Sequence, residues 1–237
     1  MHLFYTPLIQ PEMDAFLLDE GESKHAVRVL RLAVGTEVSL VDGRGGFYAA
    51  VIQDAHPKRV VLQILSYQEN HQPLPYQLHI GVAPTKNMDR LEWFVEKATE
   101  IGVTSITPLI CERSERRTLK VERLEKVAIA AMKQSLKAQL PIIHPPTSFP
   151  VFLDQVKGAG QGFIAHCEER EKVYINTALA PGETATVLIG PEGDFSPDEI
   201  AMALAQNFSA VSLGASRLRT ETAAIAACLE IALLNRK

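Results

Sequence analysis

Hydrophobic and polar residues alternate along Glu37–Val41, and after Asp42-Gly43-Arg44-Gly45-Gly46 the apolar run 47–52 returns. A strand-like run on each side of a glycine-rich turn predicts a β-hairpin. Residues 60–65, after the His56-Pro57 turn, add another strand. The prolines of Asn70-His71-Gln72-Pro73-Leu74-Pro75 then interrupt the pattern. We therefore expect a small β module over residues 1–72 and a second domain over residues 73–237.

Downstream the period switches repeatedly between two and about 3.6. Residues 76–83 read as a strand. Asn87 is placed to cap a helix whose inner stripe is Leu91, Phe94, Val95, Ala98 and Ile101, with Gly102 as its stop. Residues 103–110 form the next predicted strand, and Val121, Leu124, Ala128, Ala131 and Ser135 trace a helix ending before Pro141. Strands follow at 162–167, 186–189 and 210–213. Helices are expected from Ser196-Pro197-Asp198-Glu199, which has the pattern of a capping box, and over Thr220–Leu234. Strands alternating with helices predict an α/β domain built on a parallel sheet.

Composition narrows the class. Apolar residues make up 46% of the 237 and charged residues 22%, ordinary globular usage. No run of 18 apolar residues occurs, and the start Met1-His2-Leu3-Phe4-Tyr5 lacks a basic, then apolar, secretory leader. The expectation is a cytoplasmic protein with no membrane segment. Cys111, Cys167 and Cys228 are widely spaced, and the seven histidines show no ligand spacing, so neither a disulfide framework nor a metal site is expected. The net charge of −4 argues against an overall basic nucleic-acid binder. Residues 111–140 nevertheless hold eight Lys/Arg against four Asp/Glu, a local basic surplus.

Two glycine-bearing turns stand between a strand and a helix. One is Ile189-Gly190-Pro191-Glu192-Gly193-Asp194-Phe195; the other is Leu213-Gly214-Ala215-Ser216-Arg217-Leu218-Arg219-Thr220-Glu221-Thr222. In open α/β sheets ligands bind at the carboxyl ends of strands, where both turns fall. Ordinary strand-to-helix connections are the alternative. No G-x-x-x-x-G-K-[ST], G-x-G-x-x-G after a strand, H-E-x-x-H or G-x-S-x-G occurs, which argues against P-loop, Rossmann, zinc hydrolase and serine esterase readings.

Four stretches together resemble the RsmE family, ribosomal RNA small-subunit methyltransferases of the SPOUT superfamily, over nearly the whole chain. They are His25-Ala26-Val27-Arg28-Val29-Leu30-Arg31; Lys86 with Asp89-Arg90 and Glu96 to Val103; Ile189 to Gly193; and Leu213-Gly214 with Leu218-Arg219-Thr220-Glu221-Thr222-Ala223. The order and spacing of the last two carry the specificity. Lys133 stands where the family commonly has Glu, and Asp194 replaces the usual glycine after Gly193.

The resemblance implies an N-terminal PUA-like β-barrel and a C-terminal SPOUT domain with a deep trefoil knot. It also implies a homodimer that uses S-adenosylmethionine to methylate N3 of one uridine in 16S ribosomal RNA, free or in the assembled small subunit. The cofactor would be held by Leu188, Ile189, Gly190, Pro191, Glu192 and Gly193, and by Leu213, Gly214, Ser216, Leu218, Arg219, Thr220 and Thr222. Capping of the last helix is the other role open to the two threonines. Glu192 would meet the sulfonium or ribose, or simply favour the N-terminus of the next helix. Arg219 would stabilise negative charge on the uracil oxygens with Glu221 as its polar partner, a pair that a structural salt bridge explains equally well. RNA contacts would come from Arg28, Arg31, Lys86, Arg90, Arg113, Arg116, Gln134 and Lys137, against the alternative of solvated faces. Rival readings are a SPOUT enzyme acting on transfer RNA and an RNA-binding homologue without catalysis.

Overall fold

The structure, a computed structural model, describes residues 2–236; Met1 and Lys237 lie outside the described residues. The chain forms two compact units. One holds Met1–Pro73 with Met132–Leu140, and the other holds Leu74–Ala131 with Pro141–Lys237.

The first unit contains β1 (Leu3–Tyr5), β2 (Ala15–Leu17), α1 (Glu20–Lys24), a π-helical turn (His25–Val29), β3 (Glu37–Val41), β4 (Phe47–His56) and β5 (Arg59–Gln68). They build a five-stranded sheet in the order β1-β3-β4-β5-β2, antiparallel except for β1 beside β3. The β4–β5 hairpin is longer than the alternation predicts. Register shifts at Ala49/Ala50 and Ile52/Asp54 break the period of two while the ladder continues past them. Its core includes Phe4, Ile9, Leu40, Tyr48, Ile52 and Leu62. The helix expected to continue until just before Pro141 stops instead at Gln134. Leu136 adopts φ 58°, and Gln139 bridges to Gly43 and Arg44. Met132 and Ala138 bury there with Leu3 and Val41, and Lys133 pairs with Glu22 at 2.7 Å. Local periodicity carries no sign of this return to the first unit.

The second unit contains β6 (Gln77–Val82), α2 (Met88–Ile101), β7 (Ser105–Ile110), α3 (Val121–Gln134, whose last turn belongs to the first unit), β8 (Ile142–Ile143), β9 (Thr147–Ser148) and α4 (Phe149–Gln155). These are followed by β10 (Gln161–Ala165), α5 (Ile175–Ala178), β11 (Thr184–Ile189), α6 (Pro197–Ala205), β12 (Ser209–Val211) and α7 (Thr220–Leu234). The sheet runs β12-β10-β11-β6-β7-β8, all parallel, with β9 pairing β7. Asn87 caps α2 and Gly102 closes it, as the stripe predicts. At α6 the capping box forms in full, and Glu199 also accepts from the Glu112 N–H at 2.9 Å. The core packs Leu109, Phe149, Phe152, Ile164, Leu188, Phe195 and Ile200. Each such side chain contributes about 1.5–3 kcal/mol of burial. Short α4 escapes sequence analysis because seven residues give less than two full turns of pattern. Among the described residues, no helix is long and apolar enough to cross a membrane.

Candidate active site

Strand order decides where the two glycine turns meet. Ala165 at the end of β10 is in register with Ile189 of β11 on one side and with Val211 of β12 on the other. The turns after β11 and β12 therefore leave the sheet at one level, flanking the end of β10. They wall a cavity of about 410 Å³, within the range that holds a nucleotide-sized ligand.

A buried hydrogen bond ties the walls together: Thr220 Oγ1 donates to the Gly190 carbonyl at 3.0 Å. Gly190 suits the close packing here, since a Cβ would lie 3.1 Å from both the ring and the backbone nitrogen of Phe195, which would have to give by a few tenths of an ångström. Gly214 is required by conformation, with φ at +118°.

Of the residues expected to hold a cofactor, Ile189, Gly190, Pro191, Glu192, Leu213, Gly214, Ser216, Leu218, Arg219 and Thr220 line the cavity. Leu188, Gly193 and Thr222 do not. Leu188 precedes Ile189 on a pleated strand and packs into the core. Gly193 sits against Arg113, whose Nη1 donates to its carbonyl at 3.0 Å. Thr222 is exposed on α7, about 200° round the helix from buried Thr220. Glu192 Oε1 accepts the Lys86 N–H at 2.9 Å, joining this turn to the one after β6.

Arg219 and Glu221 both line the cavity. The ion pair open to Glu221 forms with Arg90, at 3.8 Å, and Arg90 also lines the cavity. Lys86 pairs with Glu115 at 3.0 Å, and Arg116 donates to the Lys86 carbonyl at 2.9 Å. Arg28 and Arg31 are exposed in the first unit, Arg31 with φ 57°. Gln134 is exposed there too, whereas Lys137 is partly buried and desolvation lowers its ammonium pKa.

The cavity is also lined by His166, Cys167 and Lys172, which lie outside the sequence motifs, and by Asp194 and Arg217 of the two turns, which were assigned no role. The available signal was positional, because residues 165–167 lie at the carboxyl end of a predicted strand. Asp194 explains one departure from the family pattern. It adopts φ 64°, a conformation glycine takes easily, and its carboxylate compensates by accepting the Cys167 N–H at 2.8 Å and the Phe195 N–H at 2.9 Å.

Comparison with known proteins converges on the same elements. Residues 72–232 match the RNA methyltransferase domain family and residues 18–65 the RNA methyltransferase PUA domain family. The fold and the cavity thus define an RNA methyltransferase with a PUA-like N-terminal unit and an α/β SPOUT-type catalytic unit. The ribosomal RNA small subunit methyltransferase E of Rickettsia conorii is 32% identical over 216 residues, spanning 87% of this chain and 84% of that protein. A probable rRNA-methyltransferase from Porphyromonas gingivalis superimposes with TM-score 0.92 at 42% identity, over 99% of this chain and 98% of its own. Ribosomal RNA small subunit methyltransferase E from Neisseria gonorrhoeae, solved bound to S-adenosyl methionine, gives TM-score 0.90 at 26% identity with the same coverage. The chain belongs to the ribosomal RNA small subunit methyltransferase E family.

Proposed function

We propose that the protein is an S-adenosylmethionine-dependent methyltransferase that methylates N3 of one uridine in 16S ribosomal RNA, as a homodimer in the cytoplasm. The observation that carries this reading is the cavity between the two glycine turns, closed by the Thr220–Gly190 hydrogen bond. Ile189, Leu213 and Leu218 offer apolar walls for a purine, and the backbone at Gly190 and Gly214 allows close approach. When bound, the cofactor supplies a methyl group activated on a sulfonium sulfur. Arg219 at the cavity wall provides a cation for the charge that develops on the uracil oxygens as N3 loses its proton. Arg90 and Glu221 hold one another beside it. Alignment of the attacking nitrogen with the methyl carbon is then the main task of the site.

Phosphate contacts fall to Arg28 and Arg31 of the first unit and to Lys86, Arg90, Arg113 and Arg116 of the second. A dimer is supported by α7, which leaves the apolar side chains of Leu229 and Leu233, four residues apart, exposed. The trefoil knot of the family is the threading we assign to the segment that carries both turns. Mass spectrometry of ribosomal RNA from cells lacking the protein tests the reading. One N3-methyluridine should disappear from the small subunit and return with the wild-type gene, and an unchanged modification profile would overturn it.

A further inference from the structure

His166 is the cavity residue whose chemistry the site as described leaves unused. Its side chain is only 7% exposed, it lines the cavity, and neither ring nitrogen has a hydrogen-bond partner in the protein. Leaving a buried polar group unpaired is costly, so folded proteins keep few without a ligand or structural reason. His166 follows Ala165 directly, and Ala165 is in register with both Ile189 and Val211. His166 thus lines the cavity at the strand end between the two turns, with both unpaired ring nitrogens buried in its wall.

We infer that His166 is a binding residue for the ribose diol of the methyl donor, an inference that rests on the cavity being the donor's site. The apolar walls Ile189, Leu213 and Leu218 suit the base, and the cation Arg217 suits the carboxylate of the amino-acid end. Between base and amino acid stands an uncharged polar group, the ribose. Carboxylates would be the obvious partners for its hydroxyls, but each of those in the cavity already has a partner of its own. Glu192 accepts from Lys86, Asp194 from Cys167 and Phe195, and Glu221 faces Arg90.

A neutral imidazole offers one donor and one acceptor, which matches two hydroxyls that each do both. The surroundings hold the ring neutral. Burial is the largest influence lowering its pKa, Lys172 and Arg170 add to it, and Asp194 and Glu168 oppose them. A neutral ring also avoids repelling the nearby sulfonium. Lys172 fixes the strand end by donating to the His166 carbonyl at 2.7 Å.

The test is calorimetry of the full-length protein with S-adenosylhomocysteine and its 2′-deoxy and 3′-deoxy analogues, repeated on His166→Phe and His166→Asn. The wild type should bind the parent compound about tenfold more tightly than at least one deoxy analogue. His166→Phe should lose both that affinity and that preference, and His166→Asn, which keeps a donor and an acceptor, should recover part of each. Equal binding of all three compounds by the wild type overturns the inference, whatever the folding of the variants. Preference retained by a folded Phe variant overturns it as well. Absence of heat with S-adenosylhomocysteine itself overturns the methyl-donor reading, and this inference with it.

Discussion

Replacing Thr220 by Val removes one hydroxyl and keeps the shape of the side chain, so it isolates the bond that joins the two turns. Thr220 is 6% exposed, and its Oγ1 lies 3.0 Å from the Gly190 carbonyl, itself buried. Val would leave that carbonyl without this donor and set a methyl group against it. A buried acceptor deprived of its partner costs about 1–3 kcal/mol. For a protein of this size about 2 kcal/mol corresponds to a fall in Tm of roughly 4–8 °C. The same loosening acts on the cavity, because Gly190 and Thr220 stand on opposite walls. Affinity for S-adenosylmethionine should drop roughly 5–30-fold, the equivalent of 1–2 kcal/mol. Thr220→Ser retains the hydroxyl and should restore most of both losses. Differential scanning fluorimetry and isothermal titration calorimetry on the three proteins make the comparison. A Val variant with wild-type Tm and wild-type affinity would refute the argument that this bond holds the site together.

Burial lowers the His79 imidazole from 6.5 to about 4, with a smaller contribution from His144, and His79 Nε2 lies 2.7 Å from Thr107 Oγ1. The unfolded chain therefore binds more protons than the folded one between those values. Stability should be full above pH 6.5 and fall by about 3 kcal/mol as pH drops to 4. Urea unfolding across this range should show a shallower loss for His79→Gln, and identical slopes would exclude His79 as the source. Arg219→Ala should reduce methyl transfer by about 10²-fold or more while altering cofactor affinity far less, as measured by single-turnover kinetics and calorimetry; near-normal turnover would remove Arg219 from the reaction. Changing Arg28 and Arg31 together to Ala should weaken RNA binding and flatten the log K against log salt slope by about one to two, and an unaltered slope would clear both of phosphate contact.

Signals confined to one element were legible in the sequence. The capping box at Ser196, the stripe of α2 and its stop at Gly102, and the two glycine turns all depend on residues within a few positions of one another. Features set by pairing between distant segments were not. Nothing local says that β10 lies between β11 and β12, yet that order makes Ala165 the neighbour of Ile189 and Val211 and so brings His166 into the cavity. One histidine among seven, with no partner at a ligand spacing, carries no pattern of its own. Residues 132–140 were missed for the same reason, since their burial depends on Leu3 and Val41, about ninety or more positions away.

The basic residues of the second unit that we propose for phosphate contact also brace the turns around the cavity. Arg113 donates to the carbonyls of Gly193 and Phe195, at 3.0 and 3.3 Å, and Arg116 donates to that of Lys86. Lys86 in turn gives its N–H to Glu192 in the glycine turn. A guanidinium bound to neutral carbonyls keeps its full charge, so these arginines retain the attraction that a phosphate requires while bracing the loops around the cavity. Removing either side chain therefore disturbs two things at once. Loss of RNA affinity in such a variant cannot be assigned to phosphate contact unless cofactor affinity is measured beside it. Arg28 and Arg31 brace no such turn, which is why the salt-slope experiment belongs on that pair.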